Sequence, residues 1–448
     1  MSEYIRLLRS NPNYARLWSA QVISLLGDWF NTIALSVLVA EFTDGSGLAV
    51  SLYLLSRFLP PMLFSPFAGV MVDRFNRKTI LMLCNVLRTF VVLGFLLAQT
   101  PDMLWLIYAL TIVQFTLSAL FEPGQSAITP SLVPREDLVI ANTLASITWS
   151  VMLALGAIVG GVVALVLGIQ IALIIDAATF AIAGFLISQI RVEISTAETP
   201  VTSEDLQESG SFLDGLRYLR RHPTTAATLM VKGGGSIGNT DTLMTVYATQ
   251  LFVMGGSGQL SLGIMYSAFG IGSVLGPVIL NRFNNGSVNR MRFLIGVGFV
   301  WAVLGWMLLG WPAALWIVCL GLAIRAMGGS ANWTYSSVIL QKSVPDRYLG
   351  RVFSLDMAIF QLVTVLSAVI HGAAVDILNA GARIMLLDWS SSPIITEFST
   401  VFTSASIASN LSAIALITGM TSLLPLILWI FALPRMRRRD LLVPALAD

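Results

Sequence analysis

The chain has 448 residues, of which 56% are hydrophobic and only 11% charged, with a mean hydropathy of +0.81. That balance excludes an ordinary soluble domain, and a net charge of +2 gives no basis for a nucleic-acid partner. Two cysteines in separate apolar runs (Cys84, Cys319) read as packing residues, two histidines argue against a zinc or haem cage, and no P-loop run is present, so no cofactor is expected.

Taken in chain order, Met1 to Arg16 is polar and basic. It leads into an apolar span without a small-residue cleavage site, which predicts an uncleaved first helix. Apolar runs of membrane-crossing length follow at about 17–41, 48–71, 79–99, 103–128, 141–167, 171–190, 226–252, 259–281, 293–310, 313–340, 352–378 and 408–433. They predict an all-α membrane protein with twelve transmembrane helices. Between the second and third spans stands Gly69-Val-Met-Val-Asp73-Arg74-Phe-Asn76-Arg77-Lys78. So dense a charge cluster between two spans predicts a tight hairpin at the membrane surface. Gly69 would let two helix ends approach, and Asp73 would accept from the first amides of the next helix.

With the N-terminus inside, Arg383 is the one basic residue in an outside loop. Arg57, Arg88, Lys232 and Arg325 fall within spans, and every other Lys and Arg lies on the side of the termini. Both termini are therefore expected to be cytoplasmic. Residues 193–210 are polar and acidic, without Lys or Arg, and read as a disordered linker. Ser211 to His222 reads as a short helix lying on the inner surface, or as a solvated continuation of the seventh span. The segment from Asn379 to Ser404 is expected to be a mobile insertion, with a cap built on Met385, Leu386, Leu387 and Trp389 as the alternative.

The two sides of the linker repeat. Val133-Pro134 recurs as Val344-Pro345, Gly27-Asp28 as Gly238-Asn239, and Arg74-Phe75 as Arg282-Phe283, at a near-constant offset. This predicts two pseudo-symmetric six-helix halves at 1–192 and 226–434, joined by a cytoplasmic linker at 193–225 and followed by a basic tail at 435–448.

The motif G-x-x-x-D-R-x-x-R-K after the second span resembles the signature loop of the major facilitator superfamily. Within it, the runs AITPSLVPREDLVIAN, GLRYLRRHP and VPDRYLGRVFS resemble the bacterial macrolide-efflux and enterobactin-exporter branch. The resemblance implies parallel halves with a site between them at the midplane, lined by spans one, four, seven and ten. Two positions depart from the pattern of the family's drug–proton antiporters. Gln114 stands where an Arg is usual in the fourth span, and Gly156 to Gly161 lacks the usual Pro, although Gly156 and Gly160 keep a small-residue packing face.

Charges within spans are costly and normally face a cavity or a partner. Asp28 on the first span and Asp241, beside Asn239, on the seventh are candidates for substrate or ion coupling. Arg325 on the tenth, its repeat mate Gln114 on the fourth, and Arg57 on the second complete that set. Static ion pairs between helices are the alternative for each, and Arg57 and Arg88 also read as neutralising partners of Asp28. Gly69, Asp73, Arg74, Arg77 and Lys78, with Glu122 and Asp356 nearer the inner surface, are candidates for an inner gate. Lys232 is expected to snorkel to the surface, His371 to be a packing residue, and Gly233-Gly234-Gly235 to make the seventh helix deformable.

These readings predict a monomeric, multi-pass secondary transporter of a bacterial-type cytoplasmic membrane. It would export an amphipathic small organic molecule by rocker-switch alternating access, with protons a candidate coupling ion. An uncoupled facilitator or importer and a lysolipid flippase of the same fold are alternatives, as is a membrane sensor or scaffold that transports nothing. No nucleophile–base pair or metal set suggests an enzyme.

Overall fold

A computed structural model describes residues 2–134, 137–191, 212–238, 240–387 and 395–442, and every regular element among them is helical. The linker expected at 193–210 lies outside the described residues. The helices are α1 (Ser2–Ser10), α2 (Pro12–Phe42), α3 (Gly47–Arg74), α4 (Arg77–Gly94), α5 (Leu104–Leu132), α6 (Leu138–Val151), α7 (Ala157–Leu167) and α8 (Ile169–Ser188). They continue as α9 (Phe212–Arg221), α10 (Pro223–Gly235), α11 (Thr240–Val246), α12 (Gln259–Asn281), α13 (Val288–Leu309), α14 (Leu315–Ser343), α15 (Asp346–Leu387), α16 (Ile395–Thr421) and α17 (Leu423–Leu442). Single π turns join α6 to α7 at Met152–Gly156 and extend α11 over Tyr247–Leu251.

Among the described residues, eleven helical stretches are long and apolar enough to cross a membrane. The seventh predicted span is the exception in form, because it is broken. α10 stops at Gly235, where the Ser236 amide caps Lys232, Gly233 and Gly234 carbonyls. Gly238 then takes φ +85°, which a side chain rarely tolerates, before α11 begins. Three consecutive glycines and a left-handed fourth leave the backbone too little helix preference to bridge the break.

Local chemistry sets the other ends. Pro12 and Pro223 occupy first-turn positions, where a missing N–H costs nothing. The hairpin after α3 is only Phe75 and Asn76 long, and the Asn76 side chain accepts from the Thr79 amide. Asn76 thus caps α4, while the Asp73 side chain, from which a cap is expected, lies outside the described residues. Asn76 sits at φ −61° and needs no left-handed turn. The short helix expected before the seventh span is α9, separated from α10 by His222-Pro223. Tyr218 and Leu219 turn into a cluster with Leu229, Leu340 and Val352, while Leu216 is exposed. The segment expected as an insertion is helical to Leu387 and again from Ile395, and the side chains proposed for a cap there lie outside the described residues.

The chain forms two compact units. The first comprises Met1–Glu193, Thr240–Gly270 and Ala368–Ile414. In it α2 packs on α8, α3 on α5, and α4 on both α5 and α8. Gly156 and Gly160 do form a packing face: Cβ atoms added there would stand 2.5 Å from Trp29 Cδ1 and 2.9 Å from the Trp29 carbonyl oxygen. Gly161 likewise lets α7 touch the backbone of α12 at Gln259 and Gly263.

The second unit comprises Ile194–Asn239, Ile271–Ser367 and Ala415–Asp448. Its core includes Leu294, Ile295, Phe299, Tyr335, Ile339 and Trp429. Here α13 and α14 lie backbone to backbone, since a Cβ on Gly328 would fall on the Gly298 carbonyl oxygen and 3.0 Å from the Ala302 amide. Small residues are how membrane helices gain contact where lipid offers no hydrophobic drive. Gly328→Leu should therefore force α13 and α14 apart and cost about 1–3 kcal/mol or more, the range for overpacking. Thermal unfolding of the purified variant checks this, and a wild-type melting point would show that the helices do not touch.

Candidate transport site

Asp28 lies near the middle of α2 and is half-buried. The charges acting on its carboxyl come from Arg88 on α4, Arg57 on α3 and Glu122 on α5. Arg57 is half-buried over the rings of Phe115 (4.9 Å) and Tyr53 (5.9 Å). Arg88 is 4% exposed and lies over Phe121 (4.9 Å) and Phe180 (5.4 Å). Aromatic faces hold both guanidiniums at depths where water would otherwise be needed. Gln114 is buried on α5, and among the described residues its Oε1 has no hydrogen-bond partner.

Asp241 opens α11 and accepts a hydrogen bond of 2.9 Å from the Tyr266 hydroxyl of α12. Tyr266 stands edge-on to Trp29, next to Asp28 in sequence, with ring centroids 5.2 Å apart. Arg57 also acts on Tyr266. The first unit thus holds three of the sequence candidates, Asp28, Arg57 and Asp241, with Tyr266 bonded to Asp241 and packed on Trp29.

Near the turn between α2 and α3, helices of this unit are tied together by hydrogen bonds. Asp376 on α15 accepts from the Ser46 hydroxyl (2.7 Å) and from the amides of Gly47 (2.7 Å) and Leu48 (3.1 Å). It therefore caps the start of α3, where free amides and the helix dipole favour an anion. The Ser51 hydroxyl reaches the Ala368 carbonyl (2.6 Å) and Thr242 (3.0 Å), and the Gln250 amide donates to the Gly45 carbonyl (2.8 Å). Gly47 and Gly372 let α3 and α15 approach, since a Cβ on Gly47 would stand 2.9 Å from the Gly372 carbonyl oxygen. Asp376→Ala removes three hydrogen bonds to one carboxylate and should loosen this tie. Spin labels at Leu48 and Ile377 should then report a longer, broader distance distribution; an unchanged one would show that Asp376 does not hold it.

In the second unit, Arg325 on α14 is not an unattached cavity charge. Its guanidinium donates to the Gly238 carbonyl (3.1 Å) and lies over the Trp306 ring (5.0 Å). It satisfies a carbonyl left open by the break in the seventh span. Lys232 does not snorkel. Its ammonium pairs with Asp356 of α15, the side chains being 1% and 0% exposed, and lies 4.3 Å from the Trp333 ring. The Asp356 carboxylate, a candidate for the inner gate, is thus engaged by Lys232. An apolar cavity of about 410 Å³ lies beside α10, lined by Met230, Gly234, Phe299, Ile359, Val363 and Trp429.

Of the remaining gate candidates, Arg77 donates to the Ala127 carbonyl of α5 (2.9 Å), Arg74 and Glu122 are exposed, and Lys78 is half-buried. Asn239 lies outside the described residues, as do the Asp73 side chain and the surroundings of Gly69. The sequence reading passes over three polar groups: Tyr266, Asp376, and Asp176 on α8, which is fully buried. Asp176 carries the same signal as Asp28, a lone acid in an apolar run. Asp376 and Tyr266 gain meaning only from their tertiary partners.

The first unit thus sets buried and half-buried charges among helices of membrane-crossing length. The chain belongs to the Major Facilitator Superfamily, whose family model matches residues 17–368. It is a multi-pass membrane transporter and not an enzyme. It is 24% identical to macrolide efflux protein A of Streptococcus pyogenes over 381 residues, covering 80% of this chain and 88% of that protein. It is 26% identical to a putative bacilysin exporter of Bacillus subtilis (strain 168) over 282 residues, covering 61% and 68%. Among solved structures, a bacterial homologue of the human lysosomal transporter Spinster, inward-facing and unoccupied, matches with a TM-score of 0.73. That match covers 96% and 98% of the two chains at 16% identity, a likeness of fold.

Proposed function

We propose that the chain is a proton-coupled exporter of an amphipathic small organic molecule in a bacterial-type cytoplasmic membrane, with both termini cytoplasmic. Six-helix halves at 1–192 and 226–434 rock about a midplane site. The tied end at Asp376 is then the outer gate, and the loop from Gly69 to Lys78 closes the inner face in the alternate state. The observation that carries this reading is Asp28: a half-buried carboxyl at mid-span with two guanidiniums near it. Such a group can change charge during a cycle, because Arg57 and Arg88 balance it when ionised and a proton neutralises it when they are drawn away. Tyr266, Trp29 and Phe115 give the site apolar surface with few polar anchors, the surface an amphipathic molecule fits.

The efflux-related homologues name the first probes, a macrolide and bacilysin. Purified protein in proteoliposomes should accumulate one of them against its gradient when a pH difference is imposed, and stop when the difference is collapsed with a protonophore. Uptake that only equilibrates, with or without the pH difference, would make the chain an uncoupled facilitator.

A further inference from the structure

The proposed coupling makes no use of the cavity beside α10. It holds about 410 Å³, lies wholly within the second unit, and is lined from α10, α13, α15 and α17 by apolar side chains and two glycines. The Trp429 Nε1, their only polar atom, donates to the Arg292 carbonyl (2.8 Å). Such a cavity does not hold water, and left empty it would forfeit the dispersion contacts of its walls. A hydrocarbon is what fills it. Met230, Leu424 and Leu428 line it and are each more than half exposed. Leu424 and Leu428 belong to a stretch of membrane-crossing length, Ser406–Met436, so what meets them from the side is lipid.

The length suits one leaflet. On α17 the lining runs from Leu424 to Ala432, about 12 Å of helix rise, which is most of one half of a ~30 Å hydrocarbon core. On α10 it runs from Gly234, against Pro425, back to Ala227, which packs on the same core cluster as Ala432 and Leu433. The Ala432 end is basic. Leu428, Ala432 and Arg435 follow at steps of four and three, one face of α17. Arg435 is exposed, its guanidinium donating to the Phe431 carbonyl (3.1 Å). Arg437, Arg438 and Arg439 continue the chain, and α9, which leads into α10, brings Arg217, Arg220 and Arg221. Residues 212–221 and 435–440 thus set seven arginines against two acids, Asp214 and Asp440. Basic clusters at the end of a span attract anionic headgroups.

We propose that the cavity seats one acyl chain of an anionic phospholipid whose phosphate lies at Arg435. The chain gains no hydrophobic energy over the bilayer, which is equally apolar. The charge of the headgroup selects the occupant, and the fit to the walls retains its tail. The seat borders the break in the seventh span, since Gly233, Gly234 and Ile237 line it. A lipid chain there braces α10 where three glycines leave the backbone weakest. This lipid is a resident and not cargo, and its seat is independent of the ion or substrate that the protein moves.

The test places the full-length protein in phosphatidylcholine nanodiscs with a minority of lipid brominated in its chains, either phosphatidylglycerol or phosphatidylcholine. Bromine quenches an indole that it touches, and the Trp429 signal is the difference between wild type and Trp429→Phe. Brominated phosphatidylglycerol should quench that signal strongly and brominated phosphatidylcholine weakly. Arg435→Gln should weaken binding of the phosphatidylglycerol about fivefold, the effect of one basic residue near the surface. Ala432→Phe fills the basic end of the cavity and should abolish the quenching by phosphatidylglycerol. Unlabelled phosphatidylglycerol should raise the melting point of wild type more than that of Ala432→Phe. Equal quenching by the two lipids, or none by either, overturns the proposal. Relief of the quenching by a macrolide would make the cavity a substrate seat and overturn it too. Should Trp429→Phe fail to fold, the wild-type melting point decides, and equal values with and without phosphatidylglycerol overturn the seat.

Discussion

Asp28→Asn should abolish accumulation driven by a pH difference while leaving substrate binding and downhill exchange. Asn keeps the size of the side chain but cannot take or release a proton. One unit of pH difference is worth about 1.4 kcal/mol per proton, so a one-for-one exchanger of a neutral molecule can build about a tenfold gradient from it. The variant should fall to simple equilibration. Folding should survive, because the position is half-buried and Asp28 makes no direct ion pair among the described residues. Arg57 and Arg88 remain held over their aromatic neighbours. Asp28→Glu keeps the acid and should recover part of the gradient. Asp241→Asn should be milder, since the Tyr266 hydroxyl can still donate to the amide oxygen. Uphill transport at the wild-type rate by Asp28→Asn would make Asp28 a structural residue.

The second large effect is on stability. Lys232 and Asp356 are sealed together in the second unit, and replacing either alone strands a charge in an apolar interior. Asp356→Leu should cost about 3–5 kcal/mol, the usual penalty for breaking a buried pair from one side. The double variant Lys232→Met, Asp356→Leu should recover most of that, since two apolar side chains of similar volume need no counter-charge. Melting curves of both singles and the double form a complete cycle, and a strong non-additive recovery is the expected signature. If the singles melt like wild type, the pair is not formed in the membrane. Transport by the double variant answers a separate question: whether Asp356 also serves the inner gate.

Much of the fold was legible in the sequence because bilayer thickness fixes span length and charge density marks the turns. The hairpin at Asp73 to Lys78 and the short helix before the seventh span are both readable in this way. The interruption of that span was foreshadowed by Gly233-Gly234-Gly235, but its completion was not. Arg325 reads as a cavity charge until Gly238 is seen to present an unmatched carbonyl. Lys232 and Asp356 stand 124 residues apart, and no local pattern pairs them. Asp176 was passed over because the family resemblance draws attention to the first, fourth, seventh and tenth spans, whereas it stands on the sixth. Asp376 has no intrinsic signal: it caps a helix more than 300 residues away, and its role exists only once α3 and α15 meet.

The charges around Asp28 also bear on how the protein is made. Its carboxyl leaves the ribosome on α2, before Arg57 on α3, Arg88 on α4 and, last, Asp176 on α8. A lone acid at the centre of a helix costs about 2.5–3.5 kcal/mol to insert, and its first counter-charge arrives only with the second span. The earliest helix must therefore wait beside the insertion machinery, or slide in it, until its successors emerge. Biogenesis of the first unit is a group entry of several spans, and a chain halted after α2 should be the least securely integrated of its truncated forms.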